Sequence, residues 1–189
     1  MADIKAFANT MNCSGLIEPI YNSSIFACLP DSYEGAYTIP EGITKIGSDA
    51  FSGCSGLTSI TIPNSVTSIE ESAFYGCDNL SSIEILNNVT SIGCNAFEYC
   101  KNLTSLIIPN SVTSIGAGAF LDCSRLIALH CLCTNPPDIH FPDLFFDEDY
   151  DSSSLYGLNP ITILYVPKGS IEAYRKAKGW NVCRTIVEE

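Results

Sequence analysis

The chain has 189 residues, 46% of them hydrophobic, ample for one ordered domain or a short array. Nine Lys and Arg against 21 Asp and Glu leave a formal net charge of -12, which disfavours nucleic acid and anionic membrane surfaces as partners, because both demand a basic face. No apolar run approaches the ~20 residues of a membrane helix, so no membrane insertion is expected, and "MADIKAFANTMNCSG" lacks the uninterrupted apolar core of a secretory signal.

From the N-terminus, Ala6-Phe7, Cys13 and Leu16 carry fragments of a pattern that becomes regular later. No strand precedes them, so the chain reads as starting in mid-repeat, as the C-terminal part of a longer array or a fragment would. "IFACLPDSYEGAYTIP" reads as two strands around the turn residues Asp31, Ser32 and Gly35, making residues 1–38 an irregular repeat with a hairpin.

Residues 39–131 repeat strictly. Phe51, Phe74, Phe97 and Phe120 are 23 apart, and the same step carries Ala50, Cys54, Leu57 and Ile46 to their counterparts. The unit is L-T-S-I-x-I-P-N-S-V-T-S-I-G-x-x-A-F-x-x-C-x-x. Alternation in Ile60-Thr61-Ile62 predicts a half-buried strand, ended by Pro63. "VTSIG" predicts a second short strand, and "AFxxC" has the spacing of one helical turn. One unit cannot bury its apolar side alone, whereas stacked copies form a continuous core.

Residues 132–160 read as an acidic insertion, because "ITILYVP" resumes the strand pattern 35 residues after Leu126 instead of 23. Residues 161–189 then supply a last strand and a capping helix. Ser170 is the expected N-cap, Ile171, Tyr174 and Ala177 the buried face, and Gly179 the stop.

On these columns the chain resembles the BspA-type leucine-rich repeat family of bacterial and protist surface proteins, column by column over 39–131 and more loosely on either side. The resemblance implies a right-handed repeat solenoid of short strands and short helical turns. It also implies protein binding or adhesion, a cell-surface or secreted location, and no catalytic residues. Leu86-Asn87-Asn88, standing where Pro63-Asn64-Ser65 does, departs from the pattern.

Each candidate for chemistry meets a structural explanation. Ten cysteines invite a disulfide framework. Yet a column whose side chains point the same way suits buried thiols better, so Cys54, Cys77, Cys100 and Cys123 are expected to be reduced. Cys131 takes an inward column and Cys94 a variable position. "HCLCTNPPDIH" offers His130, Cys131, Cys133 and His140, but its spacing matches no structural zinc pattern, so no metal is expected. The acidic run Asp147, Glu148, Asp149 and Asp151 lacks the EF-hand glycine, with Ser152 in its place, and reads as a solvated loop. The sequons at Asn12, Asn22, Asn79, Asn88 and Asn102 follow from the repeat columns. His130 and His140 sit in no nucleophile arrangement.

The outward strand positions carry what specificity the sequence shows. Thr58, Ser81, Thr104, Ile127 and Thr162 form one column, and Ser59, Ser82, Ser105, Ala128 and Ile163 a second. The third, Thr38, Thr61, Glu84, Ile107, His130 and Tyr165, changes at each rung after its first two. A column under no packing rule is free to specify a partner. Glu84, Ile107, Ile127, His130, Ile163 and Tyr165 are therefore the expected binding residues, for a protein partner and without a cofactor. A passive spacer is the alternative, and an enzyme the weaker third. The inserted loop, with Phe141, Phe145 and Phe146, offers another explanation: it could cover the patch.

Overall fold

The computed structural model describes residues 19–140, 162–180 and 182–189. Cys13 and Leu16, and the acidic run with its three phenylalanines, lie outside them. The described chain is a parallel β-solenoid. Each full turn contributes one strand to each of two walls, and a tight corner follows the second.

One wall is a seven-stranded sheet in the order β1-β2-β4-β6-β8-β10-β12. Its strands are β1 (Ile20–Tyr21), β2 (Ile25–Cys28), β4 (Lys45–Ile46), β6 (Ser68–Ile69), β8 (Ser91–Ile92), β10 (Ser114–Gly116) and β12 (Asp138–His140). The other wall is divided. Three strands, β3 (Gly35–Thr38), β5 (Leu57–Thr61) and β7 (Ser82–Ile83), form one sheet. Four more, β9 (Ser105–Ile108), β11 (Ala128–Cys131), β13 (Ile163–Val166) and β14 (Thr185–Glu188), form the next. Pairing is parallel except between β1 and β2. Register follows the repeat, with Ile46, Ile69, Ile92 and Ile115 side by side. Leu129 pairs with Leu164, the 35-residue step read from the sequence.

The corners explain the invariant letters. Phe26, Phe51, Phe74, Phe97 and Phe120 are fully buried and form one spine of near-parallel rings. Their centroids are 4.8, 4.9, 5.2 and 5.9 Å apart in chain order. Three residues on from the last four of these, a cysteine thiol finds a carbonyl of the preceding turn: Cys54 donates to Pro30 at 3.5 Å, and Cys77 to Phe51, Cys100 to Phe74 and Cys123 to Phe97 at 3.0–3.2 Å. Thr67, Thr90 and Thr113 likewise donate through Oγ1 to the preceding threonine's carbonyl, or to that of Thr44 for the first, each at 3.2 Å. The T and C of the repeat are thus hydrogen-bonding ladders. Leu86-Asn87-Asn88 keeps the turn it replaces, since Val89 N–H bonds the Leu86 carbonyl as Val66 N–H bonds that of Pro63.

Two positions in each corner lie in the left-handed region: Asp49, Ser72, Asn95 and Gly118, then Gly53, Gly76, Tyr99 and Asp122. The "AFxxC" segment is accordingly a hydrogen-bonded turn between two reversals of the chain, with Cys54 N–H on the Phe51 carbonyl at 3.1 Å.

Several expectations need correction. Strands β2 and β3 flank Asp31 and Ser32 but belong to different walls; the antiparallel hairpin is β1 with β2. Within 132–160, β12 pairs with β10 and is one more rung of the first wall. Strand β13 is not the last, because β14 extends its sheet by another parallel rung. Ser170 precedes the helix α1 (Ile171–Lys176) without a side-chain capping bond, and its own φ and ψ are already helical. Thr162 is buried, not outward, with its hydroxyl donating to the Leu126 carbonyl. Cys28 is disulfide-bonded, so the chain is not uniformly reduced, while Cys54, Cys77, Cys100 and Cys123 are free.

Helix α1 buries Tyr174 and packs Ile171 and Ala177 on the core. Trp180 follows, fully buried, its indole N–H on the Pro137 carbonyl at 2.9 Å.

Glycine leaves room for the backbone of a neighbouring turn at Gly47, Gly56, Gly93 and Gly116. A Cβ at Gly116 would stand 2.1 Å from the Cys94 backbone nitrogen. Gly116→Ala should therefore cost ~3 kcal/mol, since backbone must move. Ser72→Gly, at φ 53°, relieves a left-handed residue and should stabilise by up to about 1 kcal/mol. Urea unfolding of both variants measures the contrast.

Glu98 is buried on a corner, and desolvation, reinforced by Asp122, raises its carboxyl above the usual range. A raised folded-state value means its stabilising contribution is complete below the unfolded value and is lost as pH rises through the folded one. Glu98→Gln should thus raise the melting temperature at pH 7, and the gain should shrink towards zero on acidification through the carboxylate range.

Candidate functional site

The outward face of β9, β11, β13 and β14 gathers most of the expected binding residues. Alternation places Leu106, Leu129 and Leu164 inward, all fully buried, and turns their neighbours out. Register sets Ile107, His130 and Tyr165 on successive rungs, then adds Val187. Ile107 is 50% exposed, Ile127 49% and Val187 38%. Ile163 is half-buried one column over, beside Ala128. Glu84 is exposed and follows β7, in the neighbouring sheet of the same wall.

The patch has an aromatic centre. The His130 and Tyr165 rings stack with centroids 4.4 Å apart and planes 8° from parallel. Glu189 Oε2 lies 2.9 Å from His130 Nδ1, so the residue after β14 holds the imidazole in place. Sequence reasoning missed Val187 and Glu189. The signal was present in "TIVEE", whose Thr-Ile-Val alternation repeats the strand pattern, but it lies 22 residues from the previous rung and beyond a helix.

The corner thiols are poor reagents. Burial pushes Cys54 and Cys123 up to about 12, and Cys77 and Cys100 well above the usual thiol range. Cys94 is half-buried, as its variable position allowed. His130 faces outward while Cys131 is buried, and among the described residues no three His, Cys, Asp or Glu side chains converge as metal ligands. Asn110, Val112, Leu132, Cys133, Pro136 and Asp138 help to line an open cleft of about 520 Å³ at the corner beyond β11. No helix among the described residues is long and apolar enough to cross a membrane.

The fold and its columns define a class first: a leucine-rich repeat solenoid with a flat parallel wall. The chain belongs to the BspA-type leucine-rich repeat family, six copies of whose repeat match residues 27–140. Among curated proteins none matches this sequence. Several solved structures are similar to it, among them the following three. A leucine-rich repeat protein from Eubacterium ventriosum is 29% identical over 60% of this chain and 37% of its own, with a TM-score of 0.47. The T. pallidum leucine-rich repeat protein is 23% identical over 85% of this chain and 76% of its own, with a TM-score of 0.56. The pneumococcal vaccine antigen PcpA is 17% identical over 88% of this chain and 44% of its own, with a TM-score of 0.63. The last two support the fold. The chain spans less than half the length of the Eubacterium protein and of PcpA.

Alkylation at pH 8 should leave Cys54, Cys77, Cys100 and Cys123 unmodified for as long as the fold persists, and denaturant without reductant should release all four. Peptide mapping of the alkylated sites checks this. Persistent masking after denaturation would mean that the ladder is bridged.

Proposed function

We propose that the protein is a non-catalytic binding or adhesion module whose protein partner docks on the outward face of β9, β11, β13 and β14. One observation carries the reading. Ile107 and Ile127 are half exposed in columns whose N-terminal rungs have Thr38, Thr61 and Glu84, and Thr58, Ser81 and Thr104, so building the wall does not require them. Exposed apolar patches with a tyrosine are typical contact sites. Glu84 and Ile163 flank the centre formed by Ile107, Ile127, His130 and Tyr165. A surface or secreted setting belongs to the same proposal, supported by family membership. The non-catalytic part is supported by the way the repeat employs its hydroxyls: Thr67, Thr90, Thr113 and Ser111 all donate to backbone carbonyls.

A spacer would need a uniformly small, polar wall. The rungs of β5 and β7 have one; those of β9 to β14 do not.

The test is the double variant Ile107→Ser, Tyr165→Ala, with a photo-crosslinker installed at position 127 in both backgrounds. A docking face predicts an unchanged melting temperature and loss of a crosslinked partner that the parent captures. A clear fall in melting temperature would instead make the patch part of the core. Equal crosslinking by both proteins would favour the spacer.

A further inference from the structure

The ends of the two walls are not alike. Strand β1 folds back on β2 as an antiparallel hairpin. The segment after α1 covers β12, with the Trp180 indole on the Pro137 carbonyl and Gly179 packed on Ile139. At β3 the Tyr33 hydroxyl donates to the Ala36 carbonyl at 2.7 Å. Strand β14 has no comparable guard among the described residues. It ends its sheet, paired only with β13, and Thr185, Val187 and Glu188 are exposed along it. Glu189 N–H bonds to the Val166 carbonyl at 3.0 Å, so Thr185, Val187 and Glu189 turn their main-chain groups towards β13. Ile186 and Glu188 therefore present theirs at the open edge, and no hydrogen bond within the described residues reaches these groups. Such a row of free N–H and C=O groups is a template for another strand.

We propose that β14 pairs antiparallel with β14 of a second copy of this chain, about a two-fold axis through Ile186. The sequence "RTIVE" at 184–188 selects that register. It sets Ile186 opposite its own copy, Thr185 opposite Val187, and Arg184 opposite Glu188. The two-fold axis repeats the ion pair on the other side, as an isologous contact requires. Arg184 is exposed and has no ion pair among the described residues. Glu188 Oε1 accepts the Gly169 N–H at 2.8 Å, which leaves its other oxygen for the guanidinium. Opposite charges across a strand pair stabilise it, and like charges do the reverse. Sliding the strands one way sets Glu188 against Ile186 and then against its own copy, so both slipped registers are penalised. Each copy carries a net charge of -12, but screening over about 8 Å at physiological salt weakens that repulsion while the contact pair persists. Strand pairing without a packed face is a small contact, so the dimer depends on concentration. On the outward face, pairing brings the two Val187 side chains to diagonal positions and makes one wall of both copies' Ile107, His130 and Tyr165 columns. Self-pairing does not depend on what docks there.

Sedimentation velocity of the full chain at about 0.15 M salt, over a hundredfold concentration range, measures the association. The expected result is a monomer–dimer equilibrium that moves towards dimer as concentration rises. A chain that stays monomeric throughout would overturn self-pairing and leave the edge to a strand of another protein. Arg184→Glu should raise the dissociation constant roughly tenfold, and adding Glu188→Arg should restore it. Two variants that weaken the dimer without this rescue, at unchanged melting temperatures, would sink the ion pair. Register is read by mixing Thr185→Cys protein with Val187→Cys protein under mild oxidation. Opposite residues that exchange no hydrogen bonds have Cα atoms ~4.5 Å apart, within the range a disulfide spans. The mixture should therefore give a crosslinked dimer whose mapped peptides join positions 185 and 187. Each variant alone, its cysteine only diagonal to its copy, should give far less. Equal crosslinking within the single variants would show a different contact.

Discussion

Successive turns must stack at one constant rise, and the phenylalanine spine is where that constraint is met. Parallel strands sit about 4.8 Å apart, and near-parallel aromatic rings are comfortable at almost the same separation. Phe26 to Phe97 hold centroid distances of 4.8–5.2 Å, so backbone bonding and ring packing are satisfied by a single geometry. The other ladders depend on it. A cysteine three residues on can reach the carbonyl of the phenylalanine one turn back only if the turns are in register. A threonine can follow its predecessor's carbonyl only under the same condition. Because each turn is completed by its neighbours, stability resides in the interfaces between turns, as in other one-dimensional arrays.

That economy fixes the interior and leaves the outward wall unconstrained. Leu106, Leu129 and Leu164 cannot vary without opening the core, whereas Ile107, His130 and Tyr165, one residue on in each strand, contribute little to it. Variation along one wall column is therefore where partner recognition can be written without cost to the fold. Glu84, after β7, belongs to the neighbouring sheet of the same wall. At the opposite end, β14 adds Val187 to the column and is followed by Glu189, which braces His130. The patch is thus a property of four strands from separated parts of the chain.

Cysteine shows how one residue type takes two roles in the same solenoid. In the corner column the thiol is a small apolar filler with one hydrogen to donate, and burial keeps it protonated. At Cys131 and Cys133 the column rule is broken, and a tyrosine from α1 approaches both residues. The difference lies in neighbours contributed by a distant segment.

The sequence by itself determined the repeat length, the inward columns and the family. A 23-residue period in Phe, Ala, Cys, Leu and Ile allows only stacked turns, and each letter marks a contact with its own copy one period away. It also marked Ile107, His130 and Tyr165 as a column free of packing rules. Whatever depends on non-repeating neighbours was illegible. The pairing of β14 rests on a 22-residue step across α1, and the burial of Thr162 on a hydroxyl that happens to reach Leu126. The Ser170 side chain, which looked like a cap, lost that role to a local backbone already helical. The meeting of Cys131, Cys133 and Tyr174, and the bond from His130 to Glu189, join residues 41 to 59 positions apart. Periodicity reports what a residue does with its own copies; only the folded chain brings together residues that have none.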